Sequence, residues 1–451
     1  MFLKVADGMS IKISDLNPII AASTTPDPAL WSVLPFVVLL LSIALAPLLA
    51  AAWWHKNYPR VAVGLGLISL AYYFFGLDAG ERIVHVGHEY ISFISLIGSL
   101  FVVSGGIHIV VRGGARPLGN VLFLLAGALI SNLIGTTGAS MLLIRPWIRM
   151  NRYRITAFHI VFFIFIVSNV GGALTPIGDP PLFLGFLRGI PFFWVLVHCW
   201  PMWVVAVVLL LAVFYIVDRL NYRRPPEEVS AELGGSRLWQ FQGLHNLLFL
   251  AVILAAVLSS RHLVPLVPEA LMWAAALGSL RSTSKTIHQA NQFDFEPIKE
   301  VGWLFAGIFA TMIPALDYLG SHASELGIST AHQMYWATGT LSAFLDNAPT
   351  YLTFLSAEMG LFHLDVNSPG EVLRNIAEHP LEVTAISVGA VFFGAMSYIA
   401  NGPNLMVKAI ADHARVKTPS FFGYIFRYAI PILLPILALI GILFFSSWRV
   451  F

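Results

Sequence analysis

Residues 169–185 read NVGGALTPIGDPPLFLG, a stretch in which glycines, prolines and one aspartate interrupt an apolar run. The surrounding segment, from Ile155 to about Leu187, is long enough to cross a hydrocarbon core of about 30 Å as a helix. Proline and clustered glycine break helices, and broken backbone at this depth is costly unless it is buried in protein or lines a cavity. The stretch therefore predicts an interrupted membrane span that helps to build a site.

The whole chain has the composition of a membrane protein. Of its 451 residues, 57% are hydrophobic and 11% are charged, against about 25% charged in soluble domains. This imbalance excludes a soluble enzyme, and a net charge of +2 without charged runs gives no nucleic-acid footprint. The lone Cys199 excludes an internal disulfide. No HExxH, Walker or GxSxG pattern occurs, so we expect a polytopic α-helical membrane protein that is not an enzyme and holds no cofactor.

Ten apolar segments are predicted to be full spans. They are Trp31 to Trp54, Val61 to Leu77, Tyr90 to Val111, Ile155 to about Leu187, Phe193 to Val217, His245 to Ser260, Val264 to Leu280, Val301 to Gly320, Val383 to about Ala409, and Ala429 to Phe445. Two further stretches, Asn120 to Ile144 and Met334 to Leu361, are predicted to be re-entrant hairpins. Arginines flank the first stretch on both sides, so both of its ends should face the cytoplasm.

This arrangement predicts an inverted repeat. It places 19 of the 26 Lys and Arg on the cytoplasmic side and both termini outside the cytoplasm. Residues 1–30 form an N-terminal extracytoplasmic segment, 31–217 the first repeat, 218–243 a cytoplasmic linker and 244–451 the second repeat. Each half has five spans and one hairpin, and the odd number makes the halves antiparallel in the membrane.

Each half carries a hairpin followed by a broken span. The first half has ISNLIGTTGAS at 130–140 before the opening stretch, and the second has LSAFLDNAPTYLT at 341–353 followed by MSYIANGPNLM at 396–406. Discontinuous helices that meet near the membrane midplane are the working parts of secondary transporters. Free carbonyl, hydroxyl and amide oxygens suit Na⁺, whereas half-helix N-termini suit an anion. The four breaks therefore predict one transport site for an ion of either sign.

Asp179 and Asp346 are the two carboxylates inside the breaks, and each is either a functional group or a helix cap. A functional carboxylate here can carry H⁺ and Na⁺ alternately, and we name Asp179, Asp346 and Asn347 as sodium ligands. The candidates for ion or substrate binding also include polar residues and one glycine of the same four motifs. The alternative role of each is to hydrogen-bond backbone groups at a turn. They are Ser131, Asn132, Thr136, Thr137, Thr175, Gly178, Ser342, Asn347, Thr350, Asn401 and Asn404.

At these motifs the sequence resembles the ion transporter superfamily, which groups D-type sodium/proton antiporters, arsenite carriers, citrate–metal carriers and divalent-anion/sodium symporters. GGALTPIGDPP is similar to its broken-helix signature, and SAFLDNAPT resembles the hairpin signature of its antiporter-like branch. The chain also resembles a bacterial group of about this length that carries both sodium/proton antiporter and citrate transporter labels. The resemblance implies an inner-membrane homodimer with a scaffold domain and a mobile transport domain, working by an elevator-like movement.

The first hairpin departs from the antiporter pattern. It has SNLIGTTG where an antiporter-like hairpin would often show an Asp-Asn pair, and Ser131-Asn132 with Thr136-Thr137 is closer to the Ser-Asn-Thr style of the anion symporters. This departure weakens a symmetric cation site with two carboxylates.

Two transport functions follow for these residues. The leading hypothesis is sodium (or lithium)/proton antiport, favoured by two acidic groups and no basic residue inside the breaks. The alternative is sodium- or proton-coupled transport of citrate or another di- or tricarboxylate. In that case helix N-termini, threonines and bound Na⁺ would balance the substrate's charge, with help from Arg145 and Lys408 near the breaks. The expected partners are membrane lipid, a small ion or carboxylate, and a second copy of the chain.

Overall fold

The computed structural model describes residues 27–111, 116–222, 239–260 and 262–446. The N-terminal segment predicted over 1–30 and the linker predicted over 218–243 lie mostly outside the described residues. Within them the chain is almost entirely helical. The expected all-α fold is confirmed, with one small sheet as its exception.

Seventeen main helices follow one another along the described chain, several of them extended or linked by short 3₁₀ or π-helical turns. They are α1 Leu34–Leu49, α2 Ala51–Ala71, α3 Gly80–Gly105, α4 Pro117–Met150, α5 Ala157–Ile166, α6 Pro180–Arg188, α7 Trp194–Leu220, α8 Asn246–Ser259, α9 Val267–Ser282, α10 Lys285–Ala290, α11 Glu296–Ser321, α12 Ala331–Ser342, α13 Asn347–Leu361, α14 Pro369–Glu378, α15 Pro380–Phe393, α16 Gly402–His413 and α17 Phe421–Phe445.

Seven helices within the described residues are long and apolar enough to cross a membrane, or eight if α14 and α15, bent by 101°, count as one span. The chain is therefore a multi-pass membrane protein. One of the seven is α4, which the sequence predicts to be a hairpin, so six of the ten predicted spans are found as long helices. The other four differ for physical reasons. Helices α8 and α9 have 14 and 16 residues, fewer than the roughly 20 needed for a full crossing, and two other predicted spans are interrupted.

Several predicted span boundaries are wrong, and two of the errors have a clear structural reason. The span predicted from Trp31 to Trp54 ends at Leu49, because the backbone at Ala50 is non-helical with φ −146° and ψ 52°. The helix predicted from Tyr90 to Val111 ends at Gly105, and His108–Val111 forms strand β1 instead. It pairs antiparallel with β2, Trp239–Gln242, with His108 opposite Gln242. The run of β-branched residues in β1 is as apolar as a membrane helix, so hydropathy alone does not separate the two structures.

Helix α4 is a hairpin that reverses at Gly135, where φ is 77° and ψ is 156°. This left-handed backbone is readily adopted only by glycine. The two arms run side by side, since Asn120 Nδ2 donates to Asn151 Oδ1 at 2.9 Å and the Phe123 and Trp147 rings stack with centroids 5.4 Å apart. In the second half α12 and α13 pack against each other across a short break.

The two broken spans occupy the interior of the bundle. In α5 every residue from Ile160 to Ile166 is fully buried, and α15 is buried along nearly its whole length. Outer helices such as α8 instead expose leucines, among them Leu247 and Leu248. Apolar side chains can face lipid, but unpaired backbone groups cannot, so the interior is the one place where the interrupted helices are tolerated.

Candidate functional site

The breaks leave four helical segments that begin in one buried region. Asp179 is the N-cap of α6, Asn401 that of α16 and Asp346 that of α13, while the second arm of α4 begins after Gly135. Proline follows each of the three caps within three positions, and proline is well tolerated in the first turn of a helix. The partial positive charges of several helix N-termini therefore converge on this region.

Asp179 is fully buried and accepts three side-chain hydrogen bonds from three different elements. Thr136 Oγ1 donates to Oδ1 at 2.7 Å, and Asn401 Nδ2 donates to the same oxygen at 3.2 Å. Asn347 Nδ2 donates to Oδ2 at 2.6 Å. The structure thus brings four of the predicted site residues together around one carboxylate. Each of the four comes from a different break.

The same backbone contact joins hairpin to broken span in each half. The Thr136 N–H donates to the Gly178 carbonyl at 2.8 Å, and the Asn347 N–H donates to the Ala400 carbonyl at 3.2 Å. Thr136 and Asn347 therefore each make two contacts: the backbone N–H bonds the broken span of the same half, and the side chain bonds Asp179. These two contacts attach each hairpin tip to the broken spans.

Asn169 belongs to this cluster but was not among the predicted ligands. It donates from Nδ2 to Asn404 Oδ1 at 2.7 Å and accepts at Oδ1 from Asn401 Nδ2 at 3.0 Å. Asn404 in turn donates to the carbonyls of Gly394 and Ser397. The sequence signal for Asn169 was its position as the first residue of the interrupted stretch 169–185, shortly after the apolar run of α5.

Five other predicted residues bond mainly to backbone groups around the breaks, which fits the structural alternative for each of them. Their bonds run from Ser131 Oγ to the Gly127 and Val167 carbonyls, from Asn132 Nδ2 to the Ala128 and Gly171 carbonyls, from Thr175 Oγ1 to the Asn132 carbonyl, from Ser342 Oγ to the Ala390 carbonyl, and from Thr350 Oγ1 to the Asp346 carbonyl.

Asp346 lies next to the cluster but uses its side chain differently. Its Oδ1 accepts from the Ala348 N–H at 3.0 Å and so caps α13, whereas Asp179 makes no capping bond with its side chain. Asp346 is half-buried. The three predicted sodium ligands therefore do not point to one place: the Asn347 side chain bonds Asp179, whereas the Asp346 side chain bonds the backbone. Across the described ranges, no group of three or more His, Cys, Asp or Glu side chains is arranged to hold a metal ion.

The basic residues near the breaks have partners elsewhere. Arg145 donates to Gln292 Oε1 at 3.1 Å, and Lys408 donates to Asp412 Oδ2 at 2.5 Å. Neither side chain is hydrogen-bonded to Asp179. Any negative charge in the site is therefore balanced mainly by helix N-termini and by what binds there.

A small cavity lies beside the first hairpin tip, with a volume of about 30 Å³. Its lining includes Thr136, Thr137 and Gly178, together with Phe183 of α6. One water occupies about this volume in the liquid, whereas pockets for small organic molecules hold roughly 300–1,000 Å³. In this conformation the cavity beside Thr136 is too small for a molecule of the size of citrate.

The sequence was compared with known proteins. A search of curated proteins finds no match. The family CitMHS_2, described as "Putative citrate transport", matches residues 25–445, which include every helix of the described structure. Because the match covers most of the chain, the chain belongs to the CitMHS_2 family.

Proposed function

We propose that the protein is a secondary transporter of citrate or a related di- or tricarboxylate, coupled to the movement of Na⁺ or H⁺. One observation carries the proposal: the carboxylate of Asp179 receives hydrogen bonds from three side-chain donors on three separate elements. Hydroxyl and amide donors at the N-termini of half-helices suit a substrate carboxylate equally well. The family description supports this choice of substrate class.

The coupling follows from charge. Citrate would bring several negative charges into a buried site where Asp179 already has one, and like charges at close range repel strongly in a medium of low dielectric constant. Neutralising Asp179 with a proton or a cation removes that repulsion. It also weakens the hydrogen bonds that Thr136, Asn347 and Asn401 donate to Asp179, so that these donors can bond the substrate instead. Substrate and coupling ion should therefore bind together.

The small size of the cavity implies a conformational change during transport. A volume of about 30 Å³ next to Thr136 admits no tricarboxylate, so the first hairpin and α3, which both line this cavity, must move apart for the substrate to enter. An elevator-like movement would meet this requirement. The proposal includes a homodimer in the inner membrane, with both termini outside the cytoplasm. The double attachment of each hairpin tip to the breaks favours movement of the whole cluster as one body.

Sodium (or lithium)/proton antiport remains a second candidate because of one specific feature. Asp346 immediately precedes Asn347, whose side chain bonds Asp179, so a second carboxyl group borders the site. A pair of carboxyl groups could exchange protons for cations without an organic substrate.

The two functions are separated by reconstitution of the purified protein in liposomes. One arm measures uptake of labelled citrate with an inward Na⁺ or proton gradient and without either gradient. The other arm uses acid-loaded liposomes with a lumenal pH dye and adds NaCl, LiCl or KCl. Gradient-driven citrate uptake that is lost in Asp179→Asn and kept in the exposed control Asp294→Asn supports the proposal. Alkalinisation by Na⁺ or Li⁺ without citrate uptake would replace it with antiport.

A further inference from the structure

A second cavity of about 380 Å³ lies between α3, α6 and α9, with part of α14 at its rim. Its walls are largely apolar and include Phe186, Met272 and Leu373. Two acidic side chains, Glu89 and Glu269, also line it. The volume falls within the range of about 300–1,000 Å³ that is typical of pockets for small organic molecules.

Both carboxylates are buried, and each has one oxygen that accepts no hydrogen bond from the described part of the chain. Glu89 is 5% exposed and Glu269 is 7% exposed. Arg188 donates to Glu89 Oε2 at 2.8 Å, and Ser92 Oγ donates to Glu269 Oε1. Among the residues that the structure describes, Glu89 Oε1 and Glu269 Oε2 have no hydrogen-bond partner. Because a buried acceptor without a donor is costly, these two oxygens mark a place where a ligand with N–H or O–H groups would be stabilised.

The charges of the lining favour a cation. Two carboxylates face one guanidinium, that of Arg188, whose second hydrogen bond goes to Asn367. His85 and His88 also border the cavity, but His85 Nδ1 lies 3.8 Å from Glu89 Oε1, beyond hydrogen-bond distance, and the His85 side chain is 47% exposed. Two acidic side chains of the cavity therefore share one guanidinium partner.

The donor set favours an organic cation over a bare metal ion. No cluster of three or more His, Cys, Asp or Glu suited to a metal occurs among the described residues, so the two glutamates lack the further ligands that a dehydrated ion needs. An alkylammonium group instead presents three N–H donors and carries an apolar tail. The donors match the two unpaired oxygens, and the tail matches the apolar walls.

We propose that this cavity is a binding site for a protonated alkylamine, with the ammonium group at Glu89 and Glu269 and the tail against Phe186 and Met272. The site is separate from the proposed transport site but borders it, because Phe183 of α6 lines both cavities. Helix α6 begins directly after Asp179. A bound amine would therefore contact the helix that presents the central carboxylate, and it should slow transport by restraining that helix.

The test is a binding measurement on the purified full chain, which needs no transport assay. Hexylammonium chloride is titrated by calorimetry, with hexanol as the uncharged probe of the same tail and NaCl as the inorganic cation. We expect saturable binding of hexylammonium and binding of hexanol that is weaker by about tenfold or more. Glu269→Gln should weaken hexylammonium binding by a similar factor, whereas the exposed control Glu325→Gln should not.

A second variant keeps the proposal testable if Glu269→Gln does not fold. Leu373 is 42% exposed at the rim, so Leu373→Trp should fold and should obstruct the space for the tail. Equal affinity for hexylammonium in the parent protein and in the folded variants would overturn the proposal. The proposal would also be overturned if hexanol bound as tightly as hexylammonium, or if Na⁺ displaced hexylammonium at a comparable concentration. None of these outcomes depends on whether citrate is transported.

Discussion

The carboxylate of Asp179 accepts a hydrogen bond at 2.6 Å from the amide of Asn347, a residue 168 positions away in the other half of the chain. Both side chains are almost completely buried, with 0% and 1% exposed. The bond links the broken span of the first half directly to the hairpin of the second. The two halves therefore share one site, and neither half contains it alone.

We expect Asn347→Ala to weaken both the fold and the site. Loss of the amide leaves Asp179 Oδ2 without its donor, and an unsatisfied buried acceptor costs about 1–3 kcal/mol. The melting temperature of the purified protein should fall, and citrate uptake in proteoliposomes should drop by about tenfold or more. The control is Asn221→Ala at the exposed end of α7. Wild-type melting and uptake in Asn347→Ala would remove Asn347 from the site.

Thr136 and Thr137 are adjacent in sequence but should respond differently to the same substitution. The Thr136 hydroxyl donates to Asp179, whereas Thr137 is half-buried and lines the small cavity. Valine has nearly the same shape as threonine and lacks the hydroxyl. Thr136→Val should therefore raise the KM for citrate by about tenfold, the value of one buried hydrogen bond, and Thr137→Val should change it little. Measurement of KM for both variants checks this, and equal effects would contradict the assignment.

Gly178 and Gly402 provide a matched pair within the two broken spans. A Cβ added at Gly178 would lie 2.0 Å from the backbone oxygen of Gly172, whereas a Cβ at Gly402 would meet no atom of the described residues within 4 Å. Backbone cannot move aside as a flexible side chain can. Gly178→Ala should therefore reduce the yield of monodisperse protein sharply, and Gly402→Ala should leave it unchanged. Size-exclusion profiles of the two variants decide the point, and a folded Gly178→Ala protein would show that the break is more adaptable than its geometry indicates.

Apolar length and helix breakers were enough to predict the membrane class and the positions of the interruptions, because both follow from local chemistry. The roles of single residues within the motifs were not predictable in this way. Ser131 and Thr136 have the same kind of side chain, yet one bonds backbone carbonyls and the other bonds Asp179. Which of these occurs depends on how the hairpin packs against a span more than 30 residues away. The strand at His108–Val111 was missed for a related reason, since its partner lies beyond the next four helices.

Asp346→Asn separates the two possible roles of this carboxyl group. Asparagine is as good a helix cap as aspartate, so the bond with the Ala348 N–H should survive and the folded yield should stay unchanged. The negative charge that could hold a coupling cation is lost. We expect citrate uptake driven by a Na⁺ or proton gradient to fall by about tenfold or more, since a charged hydrogen-bonding group is worth roughly that factor. Asp294→Asn is the matched control, because Asp294 accepts the N–H of Glu296 in the same way on an exposed part of the chain. Unchanged gradient dependence in Asp346→Asn would assign Asp346 to capping alone and leave Asp179 as the carboxyl group that couples the ion to the substrate.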